Sequence, residues 1–381
     1  MNTRSSPQAL AHGQPASAAT GAAGGECEVL SLTAGIARYE AEWSHLVDST
    51  ALNPSLLPGW VRIVATNSGI ADHAKLLVQH HGGHVTGVVP YFAQPARILG
   101  IPLNKLSLVS NLVSYHADLP CAGSRLNLLK ALLRGEPTWQ VLQVDNILPD
   151  GPTAVALEEL CQEMGGRLLT YPVDFAPYLP IAQPFDALLA TMDKKFRYKY
   201  RKRQESLGDH TGLSMRWFTQ PDEVQAFLDA MLAVEARSWK AQQGVAVAAA
   251  THEGSYYAKL LPYLATQGDL LANVLFQGDT PVAYNLCCHH GGWVGQLKTA
   301  FDISLEQLSP GALVIDGAIR AAFERGAREF DFLGTPGKSA PEPHKLFWTK
   351  HVRSHISCFL FAPRPVPRLI AAVKHWRQAR A

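Results

Sequence analysis

The stretch from Leu270 to Trp348 narrows the possible folds more than any other part of the chain. It reads as three strands, a loop, a helix, a strand and a second loop. Leu270 to Gln277 runs out, Gly278-Asp279 turns, and Val282 to Cys288 returns. Gly291-Gly292 turns again, and Trp293 to Asp302 is the third strand. After the loop Leu308-Ser309-Pro310-Gly311, the residues Ala312, Ile315, Ile319, Ala322 and Phe323 make one apolar helical stripe. Asp316, Arg320 and Glu324 make a solvated ladder opposite it. Gly326 stops the helix, and Glu329 to Leu333 is a short strand. Helices alternating with strands recur between Leu126 and Tyr171, so the expected class is α/β with a mixed sheet.

The loop that opens this helix is a candidate binding corner. A helix start carries unpaired N–H groups and a partial positive charge, which suits an anion. Pro310 fits the first turn, and Gly311 leaves room for a phosphate to reach the backbone beside Ser309 and Ala312. An ordinary strand-to-helix turn has the same spacing. Strand alternation puts Gln296, Lys298 and Asp302 on one face of the third strand, with Leu297, Thr299 and Phe301 on the other. Cys287-Cys288-His289-His290 cannot close on one metal ion, because neighbours on a strand point to opposite faces. No metal site is expected. Gly337-Lys338-Ser339 imitates a P-loop ending, but Phe332 stands where the pattern needs glycine.

Upstream, Phe185 to Leu207 holds seven basic residues in the ten from Lys194 to Arg203. Phe196, Tyr200 and Leu207 share a helical stripe, and Arg203 falls on it, whereas Arg197 and Arg201 lie round the side. A charge on an inward stripe needs a partner or a ligand. The net charge of +2 gives no general attraction to nucleic acid. Val224 to Trp239 reads as one long helix, and Val245 to Thr251 as a flexible connection.

A chain of 381 residues suggests two domains. The hairpin Lys75–Tyr91 resembles Leu270–Cys288 about half a chain later, which favours two copies of one α/β unit. Residues 1–25 lack an apolar run and read as a disordered tail. No run of about 18 apolar residues occurs, and six scattered cysteines suggest reduced thiols, so a cytoplasmic location is expected. The C-terminal segment from Arg364 to Arg380 mixes Leu369, Ile370, Val373 and Trp376 with basic residues. It fits either a helix packed on the second domain or a peripheral contact with an anionic membrane.

Several motifs together resemble the CelD/BcsL-type acyltransferases of the GNAT superfamily, relatives of the FemABX transferases. They are Lys195 to Arg203, Phe301-Asp302, Ser309-Pro310-Gly311, Phe330 to Gly334, and Lys345 with Trp348. Trp43, Pro58-Gly59-Trp60, Val89-Pro90-Tyr91 and Asp118 add to the likeness in the first half. The resemblance implies two tandem GNAT-like acyl-CoA N-acyltransferase domains. They are placed at residues 26–175 and 176–362, with the donor site in the second and a basic amphipathic helix at 363–381. It implies an acyl-CoA donor held at Ser309, Pro310, Gly311 and Ala312. It also implies an amine (or hydroxyl) acceptor that is a small molecule or glycan precursor of the cell envelope or exopolysaccharide. The sequence departs from the family at Phe301, where a tyrosine hydroxyl is common, and at the usual glycine-rich pyrophosphate loop.

Acyl transfer to an amine needs a held carbonyl, a proton acceptor and a stabilised leaving thiolate. Asp302 is the first candidate base and Glu235 the second, although Asp302 fits a loop cap equally well. Arg197, Arg203, Lys298 and Lys345 are candidate contacts for an anionic substrate, with Trp348 as a wall residue. Two other readings stay open. One is a FemX-like transferase using aminoacyl-tRNA, and the other is a non-catalytic GNAT-fold module that binds an anionic regulator.

Overall fold

Glycine turns and strand alternation build the first half. In this computed structural model the described residues are 25–50, 53–111, 115–207, 212–378 and 380. The tail expected over residues 1–25 lies outside them, Gly25 excepted. The chain begins with β1 (Glu26–Ser31), α1 (Leu32–Ser49), α2 (Pro58–Asn67), β2 (Lys75–His81), β3 (His84–Ile98) and β4 (Ile101–Leu108). It continues with α3 (Arg125–Gly135), β5 (Val141–Ile147), α4 (Pro152–Met164) and β6 (Arg167–Pro180). Gly82 and Gly83 take positive φ in the β2–β3 turn, and left-handed Gly165 stops α4.

Two helices, α5 (Phe185–Thr191) and α6 (Lys194–Glu205), join the halves. Asp193 caps α6 by accepting from Phe196 N at 2.7 Å. The second half runs β7 (Leu213–Phe218), α7 (Val224–Glu235), α8 (Trp239–Gln242), α9 (His252–Gln267), β8 (Leu270–Gln277), β9 (Thr280–His290) and β10 (Trp293–Phe301). It ends with α10 (Pro310–Glu324), β11 (Glu329–Asp331), β12 (Val352–Phe361) and α11 (Pro365–Gln378). Apart from the short α8, both halves follow the order β-α-α-β-β-β-α-β. The similar hairpins read from sequence are β2–β3 and β8–β9, at matching places in the two copies. The fold is mixed α/β, with two halves built on one repeated order of elements.

Among the described residues, all twelve strands form one sheet, in the order β1-β2-β3-β4-β5-β12-β6-β11-β10-β9-β8-β7. The β4–β5 and β10–β11 pairs are parallel, and each is joined through a crossover helix. The halves interlock at the centre. β6 pairs with β12 along most of its length and with β11 at its end, while β12 also pairs with β5. The division expected after residue 175 therefore falls inside β6. The core is also continuous across the halves. Trp43 and Trp60 from α1 and α2 share one cluster with Phe227 of α7 and Tyr257 of α9. Trp60 Nε1 donates to Tyr256 Oη at 2.9 Å.

Three local expectations are corrected. The long helix expected over Val224–Trp239 stops at Glu235, because Ser238 caps a separate turn of helix. The 245–251 segment is tied down: Val247 is buried and its N–H donates to Glu235 Oε2 at 3.0 Å. The C-terminal helix α11 packs on both halves rather than on the second alone, burying Ile370 and Ala371 against Leu103, Val141 and Leu169 of the first and Phe361 of β12. No helix among the described residues is long and apolar enough to cross a membrane.

Candidate functional site

A splayed strand pair opens the principal cleft. β10 and β11 pair only at Trp293–Glu329, Val294–Phe330 and Gly295–Asp331. Beyond that point β10 continues to Phe301, while the other chain turns away at Leu333, whose φ is +54°. β10 also carries a bulge where the splay begins: Gln296 pairs with Cys287 and Lys298 with Leu286, leaving Leu297 unopposed. A bulge interrupts the ladder and leaves local backbone groups unpaired. It also breaks the regular alternation assumed from sequence: Gln296 and Lys298 pair with neighbouring residues of β9, yet both line the cleft. Gln296 Nε2 donates to Asn285 Oδ1 at 2.6 Å, and Lys298 pairs with Glu253 across the cleft. The cleft encloses about 940 Å³ between β10, the start of α10, α9 and the loop that follows β11.

The start of α10 forms one end of this cleft. Ser309 is left-handed, Pro310 is the first helical residue, and no side chain caps the first turn. Ser309, Pro310, Gly311 and Ala312 all line the cleft, so the anion corner read from sequence opens onto it. Gly311 has another duty here. A Cβ at this position would lie 2.9 Å from Phe301 Cδ1, so the glycine lets α10 approach the end of β10.

Behind this corner sits a buried ion pair. Arg203 Nε donates to Asp316 Oδ2 at 2.7 Å, and Trp348 Nε1 donates to Asp316 Oδ1 at 3.1 Å. Burial pushes the Asp316 carboxyl up to about 6 against the lowering pull of Arg203 and Trp348. The solvated position expected for Asp316 is therefore corrected: it is 2% exposed. α10 lies under α5 and α6 as well as over the sheet, so its second face is covered too. This answers why Arg203 falls on an inward stripe. Its Nη2 is buried without a partner among the described residues, and Arg203 lines the cleft.

The cleft wall on the α9 side carries two lysines and a phenol. Lys298 pairs with Glu253. Lys240 Nζ donates to Glu235 Oε1 and to Thr299 O, both at 2.8 Å. Burial holds the Lys240 ammonium below its ordinary range against the support of Glu235. Tyr257 is fully buried, lines the cleft, and has no hydrogen-bond partner for its Oη among the described residues. Burial first, and the carboxylate of Glu253 second, keep this phenol protonated far above neutral pH.

The sequence-read candidates separate into two groups. Arg203, Lys298, Lys345 and Trp348 line the cleft with the Ser309–Ala312 corner. Lys345 is a clip there, with Nζ bonded to Leu333 O at 3.0 Å and paired to Glu342 at 2.9 Å. Asp302, Glu235 and Arg197 are not on its surface. Asp302 accepts from Arg237 Nε at 2.7 Å and caps the next turn through Ser304 N at 3.0 Å. Burial acts to raise its pKa, but the Ser304 hydroxyl and Arg237 outweigh it and hold the carboxyl low. Glu235 is bonded by Lys240, by Tyr284 Oη at 2.5 Å and by Val247 N. Burial opposes its charge, yet Lys240 keeps it below its usual range. Arg197 binds Ala190 O and Met192 O, both at 2.9 Å, and is exposed.

A buried chain of side chains lies behind the loop that follows β11. Asp174 Oδ1 meets His355 Nδ1 at 2.7 Å, His355 Nε2 meets His116 Nδ1 at 2.9 Å, and His116 Nε2 meets Asp331 Oδ2 at 2.8 Å. Gly334 lies so close to Asp174 that a Cβ would stand 2.1 Å from its Cγ. Sequence reading missed Tyr257, Lys240, Glu253 and this chain, whose members come from four separate segments. Among the described residues no group of three or more His, Cys, Asp or Glu is placed to hold a metal.

Comparisons with known proteins accord with this geometry. A family model described as an acetyltransferase (GNAT) domain matches residues 194–346. The crystal structure of FemX superposes with a TM-score of 0.61 at 14% identity, covering 87% of this chain and 98% of that one. A conserved protein of unknown function from Bacteroides thetaiotaomicron VPI-5482 gives 0.54 at 13% identity, covering 87% and 98%. The C-terminal domain of a putative lysylphosphatidylglycerol synthetase from Agrobacterium fabrum gives 0.51 at 9% identity, covering 84% and 92%. Likeness at such identities concerns the fold alone. No curated protein matches the sequence.

Proposed function

We propose that the protein is a GNAT-type N-acyltransferase that moves an acyl group from acyl-CoA to an amine. The observation that carries this reading is the cleft itself: a splayed, bulged strand pair that ends on an uncapped helix start. In this reading the pyrophosphate sits on Ser309–Ala312, where N–H groups and the helix dipole favour it. The extended arm of the donor lies in the splay and pairs with the freed backbone beside Leu297. Arg203 and Lys298 supply positive charge to the same cleft.

The chemistry needs a carbonyl held by donors, an amine freed of its proton and a leaving thiolate. Tyr257 Oη is a protonated donor with no competing partner among the described residues. It takes the place of the hydroxyl that is missing at Phe301, and it stabilises either the oxyanion or the departing sulfur. The amine nitrogen bonds to the acyl carbon, the C–S bond breaks, and the amine loses one proton. Glu253, which lines the cleft and gives one oxygen to Lys298, suits proton acceptance better than Asp302 or Glu235, which do not reach the cleft surface.

The CelD/BcsL-type motifs support an amine on a cell-envelope or exopolysaccharide precursor as acceptor. α11 leaves Val366, Leu369 and Trp376 exposed near Arg368 and Lys374, which favours a peripheral contact with an anionic membrane. A second reading is aminoacyl transfer from tRNA. The exposed Lys194, Lys195, Lys199, Arg201 and Lys202 on α6, next to the cleft, favour it because they suit a polyanionic donor. Thiol release from acetyl-CoA and longer acyl-CoAs, measured with a panel of amino sugars, tests the first reading. Amine-dependent release supports it. Transfer from charged tRNA without release from any acyl-CoA overturns it in favour of the second.

A further inference from the structure

A second cavity, of about 380 Å³, lies where the two halves meet. It sits beyond the end of β5, beside the start of α4, and is closed by the β9–β10 turn of the second half. Its unanswered polar atoms are all donors. Asn53 is 8% exposed, and its Oδ1 accepts from Ser55 N at 3.0 Å, which fixes the amide. Its buried Nδ2 then has no partner among the described residues. Trp293 Nε1 and Arg353 Nε are buried and equally unpartnered there.

Two further features have the same sign. The start of the 13-residue helix α4 lines the cavity, and its N-cap is Gly151, which has no side chain to answer the first N–H groups. Arg328 lines it and bonds only a carbonyl, Gly291 O at 2.6 Å, with no carboxylate partner among the described residues. The acids in the wall are already matched: Asp118 by Arg125 at 3.0 Å and Glu329 by Arg353 at 2.6 Å. His116 is bound to Asp331. A buried donor without an acceptor is costly, and several in one cavity call for a ligand rich in acceptors.

We propose that this cavity is a second ligand site, for a small molecule carrying a carboxylate or phosphate group. The ligand's oxygens accept from Asn53, Trp293 and Arg353 and face Arg328 and the α4 start. Since Asn53 and α4 belong to the first half and Trp293, Arg328 and Arg353 to the second, occupancy ties the halves together. The test is calorimetric and thermal titration of the full chain with inorganic phosphate and with acetate, at ionic strength held constant with chloride. Saturable heat and a rising unfolding midpoint with either probe, absent with chloride, are expected, and the preferred probe identifies the group. Asn53→Asp keeps the acceptor that caps Ser55 but turns the donor into an oxygen. It should weaken binding about tenfold or more, as expected for a lost hydrogen bond to a charge. Trp293→Phe provides the same test if that variant does not fold. Coenzyme A binding should be unchanged in Asn53→Asp, which separates this site from the main cleft. No saturable binding of phosphate or acetate, or binding untouched by both substitutions, overturns the proposal.

Discussion

Tyr257 and Arg203 show how single residues divide between chemistry and architecture. The Tyr257 hydroxyl has no partner to lose among the described residues, so Tyr257→Phe should leave the unfolding midpoint nearly unchanged. Loss of a donor aimed at developing charge should lower kcat by about 10²–10³, read from steady-state rates beside thermal melts. Arg203→Met should behave oppositely. It strips Asp316 of its only cationic partner among the described residues, and breaking a buried pair costs about 3–5 kcal/mol. Denaturant melts check this, and a loss below 1 kcal/mol would count against the pair. Arg203 was legible as an inward charge, because helical period alone places it on the stripe of Phe196 and Tyr200. Its partner was not, since Asp316 lies 113 residues away and an amphipathic pattern presumes only one buried face.

At the scale of elements, the hairpins and helices were readable because their signals are local. Period-two alternation, glycine pairs and capping residues need no distant partner. The β10 bulge was hidden because one unopposed residue leaves no mark in the letters, yet it interrupts the ladder at Leu297, where the splay begins. The stop of α7 at Glu235 was hidden for a related reason: that side chain is claimed by Tyr284 and Lys240 rather than by solvent. Gly311 yields an expectation at this scale. Gly311→Ala should destabilise by about 1 kcal/mol or more through overpacking on Phe301. Adding Phe301→Leu should recover part of the loss, because the clash needs both partners. Full additivity in that double-mutant cycle would show that the helix does not depend on this contact.

The molecule as a whole is two copies of one unit made inseparable by their central strands. Repetition was visible in the paired hairpins. The interlocking of β6 and β12 was not, because strand order depends on long-range pairing that no local pattern encodes. The halves are also joined by His290 of β9, which meets Asp269 at 2.9 Å and Asp48 of α1 at 3.0 Å. The Asp269 bond, opposed by burial and aided by Asp48, raises the imidazole to about 9. A raised folded pKa gives stability that is complete below the unfolded value near 6.5 and lost as pH rises through about 9. The unfolding midpoint should therefore fall more steeply from pH 6.5 to 9 in the native chain than in His290→Gln. The difference should be of order 2 kcal/mol after allowance for the exposed Asp48 end. Equal slopes would remove His290 from the junction's energetics.

The proposed activity requires that the cleft between β10 and β11 take acyl-CoA with its pyrophosphate on the start of α10. Calorimetric titration with coenzyme A, of the native chain and of Ala312→Asp, tests it most directly. An acid in the first turn suits the helix dipole, so the variant should fold, while its charge repels a phosphate at that corner. The account predicts saturable binding by the native chain and at least a tenfold loss in Ala312→Asp. Binding unaffected by the substitution, or no binding by a well-folded native chain, would contradict it.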